Sequence, residues 1–394
     1  MRCKVVHIIT GLEVGGAESF LARLLPMLKP SCDNTVISLS GLGVIGPKII
    51  AEGVPVHTLD MVRNRPSLGK YLQLVRLLKD LRPDVVHTWL YHADLMGGLA
   101  ARHARVPTVM WNIRQTNLSP DYIKRSTLMV AKACAALSGL IPDVVVCCAD
   151  AARTSHVAMG YAADRMVVIP NGFDLSRFRP DPTLRSAARQ VFGAGPGDEV
   201  AGAFARFDPQ KNHFGLLQAV AQLRDRNGLK LVLAGRGMTP DNTELASWIA
   251  AAGLQDRAVL LGLRQDVERL LPGLDVFVSA SKDEGFPNAI AEAMACGVPC
   301  AVTDVGDSRL LVADTGRLAP PADDDALAMA MRDVLDLPGP ERESLGDAAR
   351  RRIVSEFDLA GIAGRYADLY ARSIERGAPH PSVLHGNGRA SDPA

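Results

Sequence analysis

The sequence predicts an α/β protein of two doubly wound domains facing one another across a cleft, and three observations carry that prediction. Its 394 residues exceed what one hydrophobic core usually supports. Short apolar runs alternate with helix-period segments nearly throughout, the pattern of βαβ units in parallel sheets. The alternation is broken once, by the proline-bearing stretch PNGFDLSRFRPDPTLR at 170–185, and then starts afresh.

In the first series, strands are expected at 4–10, 34–40, 54–59, 84–89, 107–112, 143–148 and 166–172. Their hydrophobicity is continuous rather than alternating, so helices should cover both faces of the sheet. The second series has strands at 199–206, 229–237, 258–264, 275–281 and 298–304, then a helix at 325–337. LAGIAGRYADLYARSIER, 359–376, is a last amphipathic helix, and the Gly-, Pro- and Ser-rich residues 377–394 read as a disordered tail. The division is therefore an N-terminal Rossmann-like domain over 1–180, rejoined by the helix 359–376, and a second one over 181–358. Such sheets bind ligands beyond the carboxyl ends of their strands, so motifs at strand–helix junctions carry the functional argument.

Composition narrows the class. With 47% hydrophobic and 22% charged residues the chain has ample apolar material for soluble cores. The net charge of +1 hides an asymmetry: residues 1–180 carry 21 Lys and Arg against 13 Asp and Glu, and the remainder 23 against 30. The basic excess concentrates at 63–83, an amphipathic helix whose cationic face is either simply solvated or meets an anionic membrane surface. No nucleic-acid partner is expected. Seven cysteines without zinc-ligand spacing fit reduced thiols in a cytoplasm. MRCKVVHIITG runs straight into a strand rather than a signal peptide, and the apolar run 128–148 is interrupted by Lys132, Pro142 and Asp143. A cytoplasmic place, with the inner membrane face as the surface in reach, is the expectation.

Three junctions hold candidate chemistry. In TGLEVGGAESFLARLL, Gly15 and Gly16 sit between a strand and a helix start, where they either form a tight turn or bring amides to an anion. In GAFARFDPQKNHF, Arg206 ends a strand and Lys211 stands where the next helix opens, placed to hold a diphosphate and neutralise a leaving group. In SASKDEGFPNAIAEAMACG, Glu284 precedes a helix and Glu292 lies in its second turn among Ala and Met. A carboxylate in apolar surroundings is costly unless something hydrogen-bonds it, and ligand hydroxyls are suitable donors.

Taken in order, GLEVGGAE, VIPNGFDLSRF, ARFDPQKN and EGFPNAIAEAMACGVP resemble the retaining glycosyltransferases of glycosyltransferase family 4, over roughly residues 3–375. The last segment is similar to the family's Glu-x7-Glu signature and is the most specific of the four. The resemblance implies a GT-B fold and transfer of a hexose or N-acetylhexosamine from a nucleotide-diphosphate sugar, a UDP-sugar foremost, to a glycan or lipid-linked hydroxyl acceptor. It implies no metal and no cofactor. It makes Glu284, Arg206 and Lys211 the catalytic set. Gly15, Gly16, Gly262 (in the nucleobase loop), Gly285, Phe286, Asn288 and Glu292 would join Arg206 and Lys211 in holding the donor.

The front half departs from the family pattern: Asn112 and Arg114 stand where many relatives carry a His after the strand 107–111. They are the acceptor-side candidates together with His87 and His92, which follow a strand end and either reach into the cleft or are merely polar residues satisfied in its rim. His7 reads as structural, and His156 is ambiguous. The run Asp323-Asp324-Asp325 precedes a helix and reads as capping rather than as a metal motif. A nucleotide-sugar epimerase of the same fold and a non-catalytic binding protein are the alternatives. A dehydrogenase is disfavoured by the missing GxGxxG.

Overall fold

The computed structural model describes residues 2–62, 67–119 and 123–376. The basic segment expected at 63–83 is thus described only from Ser67, and the tail expected to be disordered lies outside the described residues. Two compact units form, one running to Gly172 and including the chain from Ala360, the other spanning Phe173–Leu359.

The first unit is built on a seven-stranded sheet: β1 (Cys3–Ile9), β2 (Cys32–Ser38), β3 (Val56–Thr58), β4 (Val85–Trp89), β5 (Thr108–Ile113), β6 (Val144–Cys147) and β7 (Met166–Val168). The order is β3-β2-β1-β4-β5-β6-β7, with every pairing parallel. Central strands are apolar on both faces, as in Val85–Trp89, where every residue is buried. The helix Gly16–Leu28 covers the sheet with Phe20, Leu21, Leu24, Leu25 and Leu28, the i, i+1, i+4, i+5, i+8 stripe of an amphipathic helix. The helix Leu359–Arg376 places Tyr366 and Tyr370, both fully buried, in this unit's core.

The second unit has β8 (Glu199–Phe204), β9 (Leu229–Ala234), β10 (Ala258–Leu260), β11 (Val276–Ser279), β12 (Cys300–Thr303) and β13 (Arg317–Ala319). Their order is β10-β9-β8-β11-β12-β13, again all parallel. The order of the strands reverses once in each sheet, between β1 and β4 and between β8 and β11. These are the topological switch points where adjacent strands feed loops to opposite sides.

Three elements differ from expectation. The stretch 170–185 is not all connection: Asp181 accepts hydrogen bonds from the amides of Thr183 (2.9 Å) and Leu184 (3.1 Å), and with Pro182 it opens the helix Pro182–Val191. That helix sends Arg185 (2.6 Å) and Arg189 (3.0 Å) to the carboxylate of Asp275, which also accepts from Val200 N–H, tying the helix to the starts of β8 and β11. β13 is only three residues long, too short to stand out as a run. The helix Gly339–Glu356 is rich in charged residues and buries only Gly346, Ala349 and Ile353, so its periodicity is faint in the sequence.

The strands expected at 229–237 and 258–264 end early, at Ala234 and Leu260, and the remainder forms turns. Gly235 has φ +147°, and a Cβ there would lie 2.0 Å from the carbonyl oxygen of Ala205. No side chain fits. Gly235→Ala should therefore lower unfolding stability by about 2–4 kcal/mol, read as a shift in urea midpoint at unchanged slope. A midpoint equal to wild type would show that the β8–β9 turns tolerate separation.

Candidate active site

At the switch point of the second unit, two loops leave β8 and β11 side by side. After β8 the chain passes Ala205 and Arg206 and makes a 3-10 turn, Pro209–Lys211, capped by Asp208, whose carboxylate accepts from Gln210 N–H at 3.0 Å. Asn212, at φ +50°, then caps the helix His213–Ala221 through its side-chain oxygen. Lys211 therefore lies before that helix and not within its first turn, because Pro209 and the left-handed Asn212 close a separate turn first. The amide of Lys282 donates to the Gln210 carbonyl (2.8 Å) and stitches this turn to the loop after β11.

The stitch brings Lys211 to Glu284. Its Nζ donates to Glu284 Oε1, which also accepts from Ser281 Oγ at 2.8 Å, and the two side chains are only 19% and 14% exposed. Ser281 is held in turn: its carbonyl accepts from Thr303 Oγ1 at 2.6 Å. Gly306, at φ +55°, lets the next loop pass so close that a Cβ would lie 2.3 Å from the Glu284 carbonyl oxygen. Glu284 is thus fixed in backbone and side chain.

Arg206 is more exposed. Its Nε donates to Asp208 at 2.8 Å. Burial alone would raise the Asp208 carboxyl, but the Gln210 amide and the Arg206 guanidinium outweigh it and hold the group below its usual range. His213, absent from the candidates above, is buried against Phe207 with rings 10° from parallel. Its Nε2–H donates to the Arg206 carbonyl at 3.0 Å and so sets the backbone from which Arg206 projects. Burial depresses its basicity. The only sequence signal was a His just after the Lys-Asn pair.

Beyond Glu284 the amides of Gly285 and Phe286 have no hydrogen-bond partner among the described residues. The Phe286 side chain is core, packed on Phe173 (6.1 Å between centroids) and Phe357 (5.6 Å), so only its backbone faces outward chemistry. Asn288 opens the helix Asn288–Ala295, and Glu292 sits half-buried in its second turn. Glu292 lies within electrostatic reach of Arg177, whose guanidinium is raised chiefly by its hydrogen bond to Glu268 (2.8 Å). It also acts on the Cys296 thiol, which burial first and then this carboxylate push up to about 12. The amide of Gly262 donates to the Met238 carbonyl and its carbonyl accepts from Gly235, both at 2.8 Å. Its backbone groups are spent on holding two turns together at φ +64°. Asp323 caps the helix Asp324–Leu335 by accepting from Ala326 N–H (2.9 Å), and Asp325 accepts from Gln222 (2.8 Å).

In the first unit, Gly15 is the extended N-cap of the helix Gly16–Leu28, and a Cβ on Gly16 would meet no atom within 4 Å. The helix's own Glu18 folds back over its start: a Cβ on Gly15 would lie 2.3 Å from Glu18 Oε2. Burial raises the Glu18 carboxyl, partly offset by its own N–H. The open N-terminus is therefore served by an internal carboxylate.

His87 lies in the middle of β4 and Asn112 within β5, not beyond a strand end, which corrects the expectation. Both are fully buried, hydrogen-bonded beneath Tyr370 and Tyr366. Asn112 Nδ2 donates to His87 Nε2 (3.1 Å), so Nδ1 carries the proton and donates to Tyr370 Oη (2.8 Å). His92 is half-buried in the first turn of the helix Tyr91–His103. His7 is structural as expected: Nε2–H donates to Asn34 (3.0 Å), and Nδ1 accepts from Trp89 (3.3 Å). His156 donates from Nδ1 to the Ala152 carbonyl and accepts from Tyr91, both at 2.7 Å. Arg114 follows β5 with its guanidinium 4.3 Å above the Phe20 ring and donates to Asn171.

Two family models match in chain order, Glycosyltransferase Family 4 over residues 14–177 and Glycosyl transferases group 1 over 185–352. The second spans the whole Lys211–Glu284–Glu292 arrangement. The chain belongs to the family 4 glycosyltransferases. It is 30% identical to the D-inositol 3-phosphate glycosyltransferase of Streptomyces coelicolor, over 74% of this chain and 69% of that one. It is 29% identical, over 96% of both chains, to the GDP-mannose:cellobiosyl-diphosphopolyprenol alpha-mannosyltransferase of Komagataeibacter xylinus. The crystal structure of Anabaena HepE in complex with UDP shares the fold at a TM-score of 0.82 and 24% identity, covering 94% of this chain and all of that one. This glycosyltransferase thus has two parallel-sheet α/β domains whose neighbours are GT-B enzymes.

The buried histidines should make the stability of this glycosyltransferase acid-sensitive. His7 and His156 each donate from one nitrogen and accept at the other, so protonation breaks a bond, and burial lowers both to about 4. The unfolded state binds more protons between pH 6.5 and 4, so this contribution is complete above about 6.5 and lost as pH falls toward 4. Unfolding stability should drop by about 2 kcal/mol per histidine between pH 7.5 and 5.0. Urea titrations of wild type and His156→Gln should show a smaller drop in the variant. Parallel pH profiles would contradict the assignment.

Proposed function

We propose that this chain transfers a hexose or N-acetylhexosamine from a nucleoside-diphosphate sugar, with retention and without a metal, to a hydroxyl of a glycan or lipid-linked acceptor. The observation that supports it most is the Lys211–Glu284 pair at the switch point of the second unit, followed by the two open amides of Gly285 and Phe286. A mostly buried cation and anion share one hydrogen bond there, so each is available to a ligand that carries both phosphates and hydroxyls.

In this reading the donor diphosphate takes Lys211 and Arg206, and Glu284 turns to a sugar hydroxyl beside the open amides. Glu292 accepts from the ribose hydroxyls. The bond from the anomeric carbon to the leaving phosphate oxygen breaks and the acceptor oxygen bonds the same face. The acceptor proton passes to the departing diphosphate, whose growing charge the two cations stabilise. No acid–nucleophile carboxylate pair is needed. UDP is the expected nucleotide. The relative from Komagataeibacter, named for a diphosphopolyprenol acceptor, supports a lipid-linked glycan as the product class.

A membrane surface would meet the helix Leu68–Leu81, whose stripe Leu68, Leu72, Arg76 and Lys79 is exposed, with Leu68 at 74%. Sedimentation with vesicles containing anionic lipid should carry the protein down, and Leu68→Ser with Leu72→Ser should weaken binding severalfold. Equal sedimentation with neutral vesicles would remove the electrostatic part of this reading.

Thermal shift against UDP, GDP, ADP and nicotinamide cofactors tests the core proposal. One nucleoside diphosphate at a hundredfold excess over its Kd should stabilise the fold by about 2.7 kcal/mol. Response to none, or only to a nicotinamide cofactor, would sink it. Glu292→Ala should raise the nucleotide Kd roughly tenfold, the value of about 1.4 kcal/mol. Glu284→Ala frees Lys211 for the diphosphate, so nucleotide affinity should hold or rise while kcat/KM falls about 10²- to 10³-fold. Equal loss of nucleotide binding in both variants would refute the division of roles.

A further inference from the structure

Arg114 is set apart from the other cations at strand ends. Arg206 pairs with Asp208, Lys211 with Glu284, Arg177 with Glu268, and Arg264 with Asp266. The Arg114 guanidinium has a neutral partner, Asn171, and its Nη1 is buried with no partner among the described residues. His87 and Tyr366 lie within its electrostatic reach, and neither is an anion at neutral pH. A half-buried guanidinium with one nitrogen enclosed, and with no ion-pair partner among the described residues, is costly to maintain.

Its place in the fold is specific. Arg114 directly follows β5 and lies over the Phe20 ring at 4.3 Å and the Trp89 ring at 5.6 Å. Phe20 belongs to the helix after β1, and Trp89 ends β4, so the guanidinium sits over the carboxyl edge of the first unit's switch point. The two rings hold its plane and Asn171 takes one end. That leaves the Nη1 end of a planar, pre-oriented fork, the geometry that suits a phosphoryl group.

We propose that Arg114 is the anion anchor of the first unit, binding a phosphoryl oxygen of a substrate through its unpartnered Nη1. The inference rests on the transfer reading and deepens it. The same phosphoryl chemistry has two sources, the diphosphate of a lipid-linked acceptor and the diphosphate of the donor nucleotide.

Binding of farnesyl diphosphate, farnesol and the nucleoside diphosphate found in the nucleotide screen, measured by calorimetry on the full chain, separates the sources. Wild type should bind farnesyl diphosphate and not farnesol. Arg114→Gln should weaken farnesyl diphosphate at least tenfold with nucleotide affinity within twofold, which assigns the anchor to the acceptor. A tenfold loss of nucleotide affinity instead supports the anchor and assigns it to the donor. Unchanged affinity for both overturns it. Should Arg114→Gln fail to fold, Arg114→Lys decides, since it keeps the charge and loses the fork: severalfold weaker binding supports the anchor, and wild-type affinity overturns it. Nucleotide binding by wild type is scored separately. Its absence defeats the transfer reading, whereas its presence with an unaltered Arg114→Gln defeats the anchor alone.

Discussion

A parallel strand can be followed by its neighbour only after the chain has crossed back over a face of the sheet, and everything else in this protein depends on that constraint. Crossovers bury both faces of the central strands, so strand residues are apolar and polar chemistry is expelled to the ends. Where the strand order reverses, between β1 and β4 and between β8 and β11, neighbouring loops diverge and leave room. Lys211 and Glu284 come from the two loops that diverge at β8 and β11, and Arg114 overlies the corresponding edge at β1 and β4.

The two units handle charge at these edges differently. In the second, opposite charges neutralise one another within the protein, and serine, threonine and close-packed glycines hold the carboxylate in place. A ligand can enter there by exchange, each charge leaving its partner for a group on the substrate. In the first, the helix start is covered by the Glu18 carboxylate, while the Arg114 cation has aromatic faces and an amide instead of an anion. Exchange keeps the cost of an empty site low. An uncompensated cation leaves that cost in place until an anion arrives.

Much of this was legible in the sequence because it is local. Strand runs, the glycine pair, Arg206 and Lys211, and the two glutamates all stand at junctions that hydrophobic patterning locates. The misses are equally specific. Asp181 caps a helix in a stretch that reads as irregular, and Asn212 moves the next helix start past Lys211, since a cap is one residue and a pattern needs several. His87 and Asn112 are polar residues inside apolar strands, and aromatic residues more than 250 positions away supply their partners in the core.

Periodicity and punctuation, which act within a few residues, by themselves determined that the chain forms parallel α/β sheets in two series, with candidate chemistry at their strand ends. Which of those candidates meet was decided only by tertiary structure. Lys211 joins Glu284 across 73 positions because the Lys282 amide binds Gln210, and His87 is closed in by Tyr370 across 283. Strand order sets such meetings, and strand order follows from how crossovers pack on the sheet as a whole rather than from any single stretch of the chain.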